Sequence, residues 1–314
     1  MVSSVPIQKN IARRAFGNSV WLGASSLSDK EKLAALPERE INYEVLGSEE
    51  AIGQAMLEEI EKAAQTKQGD LVIVLLGGRG AQALHRLLGS IAKTNVKDSL
   101  LSRLHVFTQD ALAPMLMDNS FSFVRDFERL LGKDFFKKVK SFTSFFTDTN
   151  DLEGEIESYI KKLGAFGDID IFFIGLGPEA TDASHLAYIK PNSGATLTDV
   201  AGLIPISQSI LEHHIAKFKA GGSVTNEADE AECRRATHIL TLGPAAILNA
   251  KRVVQSIVDA STSPAKRACY RRVLNEEISN DPVERQTQLN ENPGLWLRLH
   301  PNIRSLILQD VLSV

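Results

Sequence analysis

At 314 residues, with 43% hydrophobic side chains and a formal charge of -4, the chain can bury a large core and lacks the basic excess that general nucleic-acid binding needs. Its two cysteines, Cys233 and Cys269, are far apart in sequence, which excludes a disulfide framework and a cysteine-rich zinc site and fits a reducing compartment. No apolar run approaches the length of a bilayer span and residues 1–20 carry no signal-peptide core, so the expectation is a cytoplasmic protein with no membrane partner.

Residues 1–40 are mixed in character and are expected to form an N-terminal extension packed on a main domain spanning 41–314. Within the extension, Ser28 and Glu31 have the spacing of a capping box that opens a short helix ending before Pro37. Residues 41–47 suit a strand. Ser48 then caps a helix through Gln65, with Glu49 and Glu50 in its first turn and Ile52, Met56, Ile60 and Ala63 along one face.

The continuous apolar run from Leu71 to Leu76 reads as a strand buried on both faces. It ends in Gly77-Gly78-Arg79-Gly80 and passes at once into a helical run from Ala81 to Leu88. Glycines let backbone amides approach an anion while the helix start supplies partial positive charge, so a phosphorylated ligand is the first expectation. The turn lacks the Lys-Ser/Thr ending of an ATP-binding loop and the full dinucleotide fingerprint.

Further along, Leu104 to Thr108 reads as a strand ending in Gln109-Asp110, and Ser120 to Leu131 as a helix. Ile169 to Ile174 is a strand ending in Gly175-Leu176-Gly177. A strand from Thr237 to Leu242, a short helix from Pro244, a strand from Arg252 to Val258 and a helix from Pro264 to Leu274 follow. The polar stretch from Glu276 to Asn292 reads as a surface loop or short exposed helix, and Ile303 to Gln309 as the last strand. This alternation predicts an α/β fold, a doubly wound, mostly parallel sheet with helices on both faces in three Rossmann-like layers. Ligands of such sheets bind beyond the carboxyl ends of the strands, which here carry Gly77 to Gly80, Gln109-Asp110 and Gly175 to Glu179.

In this order the motifs resemble the glucosamine-6-phosphate deaminase and 6-phosphogluconolactonase superfamily over residues 41–314. The resemblance implies that Gly77, Gly78, Arg79 and Gly80 stand where the family has a glycine turn with flanking hydroxyls, Arg79 offering a charged fork to phosphate in their place. It implies that Asp110 matches the deaminase base that moves a proton between adjacent sugar carbons, while Ala111 removes the second carboxylate of the pair. In the third motif Glu179 stands for the family aspartate and Thr181 for the family histidine. His185, four residues on, substitutes if the loop is remodelled.

The segment from Thr237 to Ala250 resembles the deaminase side of the superfamily. Lys266 near a helix start matches the lysine that binds substrate phosphate, and Trp296 and His300 belong to a structural element near the carboxyl end. The resemblance thus implies an aldose–ketose isomerase or deaminase acting on a small phosphorylated sugar, with a homo-oligomer allowed. The alternatives are a sensor that kept the phosphate site, for which Thr181 and Ala111 speak, and a lactone hydrolase, weakened by the missing histidine. No cofactor is needed for such proton transfers. No metal is expected either, since adjacent His213 and His214 diverge by about 100° on a helix.

Overall fold

A computed structural model describes residues 11–24 and 29–313. Its strands are β1 (Ile11–Phe16), β2 (Ser19–Ala24), β3 (Tyr43–Leu46), β4 (Leu71–Leu75), β5 (Leu104–Thr108), β6 (Asp110–Ala113) and β7 (Ser141–Thr143). They continue with β8 (Ile171–Ile174), β9 (Gly177–Pro178), β10 (Ser184–His185), β11 (Asp199–Pro205), β12 (His238–Leu242), β13 (Arg252–Ile257) and β14 (Ile303–Leu308). Seven of them form a parallel sheet in the order β3-β14-β13-β8-β4-β5-β7. The α/β class is as expected from the alternation.

The reason for the unbroken apolar run in β4 is visible in its packing. Leu71, Ile73 and Leu75 enter one core with Met56, Leu84 and Phe127 from the helices Glu49–Thr66, Gln82–Ala92 and Phe123–Lys138. Val72 and Val74 enter the opposite core with Ile160 and Tyr270 from the helices Leu152–Ala165 and Ala265–Asn275. A strand covered on both faces has no place for an alternating polar residue.

The structure departs from the sequence reading in its second sheet, an antiparallel one in the order β1-β2-β11-β12-β6. The strand around His238 to Leu242, read as another member of the parallel sheet, lies here, antiparallel to both β11 and β6. Its apolar run records burial, and burial carries no strand direction. Residues 11–24 are hydrogen-bonded into this sheet through β2 and β11, with Trp21 fully buried and donating to the Ser193 carbonyl at 2.8 Å.

Two local expectations also change. The stretch from Glu276 to Asn292 holds a helix, Pro282–Glu291, capped by Asp281, that is only partly exposed: Arg285 is buried and donates to the carbonyls of Leu33 and Leu36. The helix expected from Ser120 starts at Phe123 with Ser122 as its cap and breaks after Leu131, where Gly132 takes φ 71°, before a second helical segment runs on to Lys138. Ser28 of the expected capping box lies outside the described residues, and the helix after it spans Asp29–Ala35. Among the described residues no helix is long and apolar enough to cross a membrane.

Candidate active site

The carboxyl ends of β4, β5, β8 and β13 open into one cleft with about 100 Å³ of water-accessible space, several times what a single water needs. Seven of the eight residues singled out from sequence line it: Gly77, Gly78, Arg79, Gly80, Asp110, His185 and Lys266. The eighth, Glu179, reaches it through His185.

The glycine turn leaves β4 with Gly78 at φ 74° and ψ -165°, a conformation open in practice only to glycine. Gly77 and Gly78 make no backbone hydrogen bond through their amides, which leaves them free to meet an anion. Arg79 is partly engaged elsewhere, donating to Glu49 at 2.5 Å, so its guanidinium stands at the rim of the cleft with a carboxylate already in its fork.

Asp110 sits where the chain leaves the parallel sheet. The Gln109 amide donates to the Leu75 carbonyl and the Gln109 carbonyl accepts from Leu242, so one residue bridges the two sheets and Asp110 begins β6. Its carboxyl is 4% exposed and accepts a 2.7 Å hydrogen bond from the Gln109 side chain. Burial pushes the carboxyl up to about 7, only partly offset by that hydrogen bond.

At the third strand end His185 lines the cleft and Thr181 does not. Residues 179–183 make a hairpin loop between β9 and β10, closed by the Glu179 amide donating to the Ala183 carbonyl at 2.8 Å. Thr181 and Asp182 both take positive φ at its tip, and Thr181 is exposed with its hydroxyl on the Ala180 carbonyl. The loop returns the chain so that His185 pairs with Gly177, placing the imidazole in the cleft. Its Nδ1 lies 2.9 Å from a Glu179 carboxylate oxygen, which makes Nδ1 the protonated nitrogen and Nε2 the basic one. Ser184, beside it, is held by Asn292 and accepts from the Gly294 amide.

Two lysines face this dyad across the cleft. Lys266, on the helix Ala265–Asn275, donates to Asp259 at 2.5 Å, and Lys217, on the helix Gln208–Ala220, donates to the other oxygen of the same carboxylate. Burial by itself would raise the Asp259 carboxyl, but the charges of Lys266 and Lys217 outweigh it and hold the group at about 2. Burial also lowers the Lys266 ammonium, against the attraction of Asp259.

Lys217, Asp259 and Tyr188 were not singled out from sequence, and His213 was weighed there only as a metal ligand. Asp259 carried a usable signal, one residue beyond the expected end of the strand at Val258. His213 and Lys217 are spaced i, i+4, and their helix buries Ile210, Leu211, His214, Ile215 and Phe218. Tyr188 carried no such signal. It takes φ 56° in a tight turn with Ala187, and its hydroxyl donates to His214 Nδ1 at 3.1 Å, while His214 Nε2 donates to the Phe121 carbonyl.

A parallel sheet flanked by helices, a second antiparallel sheet, and a cleft at the strand ends define a three-layer α/β protein with the fold of the glucosamine-6-phosphate deaminase and 6-phosphogluconolactonase superfamily. Over 86% of the chain it superposes on 98% of a monomeric glucosamine-6-phosphate deaminase with a TM-score of 0.64 at 19% identity. Over 88% of the chain it superposes on 97% of 6-phosphogluconolactonase from Trypanosoma cruzi, with a TM-score of 0.59 at 15% identity. In sequence the chain is 23% identical over 260 residues to a glucosamine-6-phosphate deaminase of Staphylococcus epidermidis, covering 81% of this chain and 90% of that protein. The similarity therefore falls nearer the deaminase side of the superfamily. No family model matches the chain.

Proposed function

We propose that the protein is an aldose–ketose isomerase of the deaminase kind, acting on glucosamine 6-phosphate or a related phosphosugar. The observation that carries the proposal is the convergence on one cleft of a buried carboxyl poised near neutrality, Asp110, with the His185–Glu179 dyad and the Lys217–Lys266 pair. The glucosamine-6-phosphate deaminases among its relatives supply the substrate class.

In this proposal Lys217, Lys266 and the free amides of Gly77 and Gly78 hold the phosphate, whose charge spreads over both ammonium groups and the helix start. His185 Nε2 takes the proton of the anomeric hydroxyl and hands it to the ring oxygen as the bond from the anomeric carbon to that oxygen breaks and the carbonyl forms, with Glu179 stabilising the transient imidazolium. Asp110 then removes the proton from the carbon next to the carbonyl and returns it to the neighbouring carbon, converting aldose to ketose. For an amino sugar, the nitrogen leaves as ammonia after water adds at its carbon. A carboxyl near 7 suits both directions of the transfer, since it is neither fully charged nor fully protonated at neutral pH.

Lactone hydrolysis is the second reading, supported by the dyad and by the fold shared with the lactonases. It needs a base for water but no proton shuttle between carbons, so Asp110 has no part in it. Ammonia release and ketose formation from glucosamine 6-phosphate, run beside hydrolysis of 6-phosphogluconolactone, separates the two. Asp110→Asn is expected to bind phosphosugar and to lose isomerisation. Lactone hydrolysis that survives this substitution, without isomerisation in the unsubstituted protein, would overturn the first reading, and binding without any turnover would make the protein a sensor.

A further inference from the structure

The helix Gln208–Ala220 sends two side chains one turn apart into the cleft, His213 and Lys217. Lys217 is committed to Asp259, whereas the His213 ring forms no hydrogen bond among the described residues. The other cleft imidazoles are engaged: His185 with Glu179, and His214 with Tyr188 and the Phe121 carbonyl. His213 therefore stands uncommitted between the proposed phosphate subsite and the His185 ring, whose centroid is 6.4 Å away.

Its surroundings also set its charge. Burial, and then the neighbouring His185 ring and the Lys266 and Lys217 ammonium groups, pull the imidazole down to about 3 against the attraction of Asp259, so the ring is neutral at physiological pH. A neutral imidazole offers one N–H donor and one bare acceptor nitrogen. A hydroxyl group, itself donor and acceptor, complements both properties. A cation in that position would meet the Lys217 and Lys266 ammonium groups, which already share the Asp259 carboxylate, and an alkyl chain would leave both nitrogens unpaired in a partly buried site.

On the phosphosugar reading above, we infer that His213 is a specificity-determining residue that binds a hydroxyl of the substrate's polyol chain, between the phosphate and the carbons served by Asp110 and His185. The substrate class is accordingly a polyhydroxylated phosphate, selected over an alkyl phosphate of the same length. A site built around a substrate hydroxyl discriminates strongly against the analogue that lacks it.

Calorimetric titration with three probes tests this: inorganic phosphate, hexyl phosphate and sorbitol 6-phosphate. The unsubstituted protein is expected to prefer sorbitol 6-phosphate over hexyl phosphate by roughly tenfold or more. His213→Ala should shrink that preference while leaving inorganic phosphate unchanged, and His213→Asn, which keeps one donor and one acceptor, should restore part of it. An unchanged preference in His213→Ala, or an equal loss for all three probes, overturns the assignment of His213 and leaves the phosphosugar reading standing. Failure of the unsubstituted protein to bind either inorganic phosphate or sorbitol 6-phosphate overturns both.

Discussion

Gly177 lies directly against His185: the two are paired across β9 and β10, and a β-carbon on Gly177 would stand 1.7 Å from the imidazole Nε2. No side chain larger than hydrogen fits there without moving the ring. Gly177→Ala is therefore expected to push His185 off Glu179 and to lower kcat by about 100-fold or more, the scale of losing a positioned acid–base group. The far-ultraviolet circular dichroism should stay unchanged, since the hairpin is held separately by Ser184 and Asn292. Full activity in the alanine variant would remove His185 from the chemistry.

Asp110 gives a pH dependence with a definite sign. Its carboxyl stands at about 7 in the folded protein against 3.8 as an ordinary aspartate, so the folded state keeps a proton that the unfolded chain has released. Between those values rising pH costs stability, up to about 4 kcal/mol by linkage. Asp110→Asn removes that cost, and is expected to melt higher than the unsubstituted protein at pH 8 and equally at pH 4. On the proposed function, the kcat/KM of the unsubstituted protein should rise through pH ~7 as the base form appears. A flat profile from pH 5 to 8 would mean that another group is the base.

The lysine pair makes the proposed phosphate subsite separable from the proposed chemistry. Lys266→Ala and Lys217→Ala should each weaken inorganic phosphate binding by roughly 10- to 100-fold, the range for a charge-assisted hydrogen bond. Calorimetry showing unchanged affinity in either variant would take that lysine out of the subsite.

How much of this was legible beforehand follows from what each residue does physically. The run from Leu71 to Leu76 announced a doubly covered strand because Val72 and Val74 pack on one face while Ile73 and Leu75 pack on the other. The glycine turn was equally readable, since the backbone at Gly78 excludes side chains. The direction of β12 was not, because the same residues bury equally well in either sense. That Thr181 lies outside the cleft while His185 lines it was not legible either. Counting residues does not show how a loop folds, and here a hairpin at 179–183 leaves Thr181 exposed and pairs His185 with Gly177. Lys217 and His213 reach the cleft from a helix distant in sequence from the glycine turn, and only tertiary packing brings them there.

Asp259 is the counterion that lets two ammonium groups share one buried place. It is 3% exposed and contacts both Lys217 and Lys266. Its folded value of about 2 lies below the ordinary 3.8, so its contribution is fully present above the ordinary value and is lost as pH falls through 2. That contribution is about 2 kcal/mol, and it should appear as a steeper acid loss of stability than in Asp259→Asn. At pH 7 the variant leaves two cations facing each other without a carboxylate and is expected to lose ~3–5 kcal/mol. Inorganic phosphate should raise its melting temperature more than that of the unsubstituted protein. Equal rises in both would argue that the anion binds elsewhere.

Trp21 tests whether the chain before residue 41 is an appendage or part of the fold. Its ring is fully buried, its indole N–H donates to the Ser193 carbonyl, and a β-carbon at Gly202 would stand 2.4 Å from the ring. On the neighbouring strand Arg14 reaches Asp199 and the Gly194 carbonyl, so β1 and β2 are fastened to β11 and the segment before it by side chains as well as by the backbone ladder. Trp21→Ala removes the largest side chain of this layer and opens a cavity between sheet and helix, a change that costs about 3–5 kcal/mol. Gly202 packs flat against the ring and cannot fill the space. We expect a single cooperative unfolding transition displaced to lower denaturant with an unchanged slope, as for an element that unfolds with the whole domain. A separate early transition in Trp21→Ala, with the cleft still binding phosphate after it, would show the hairpin to be an independent attachment.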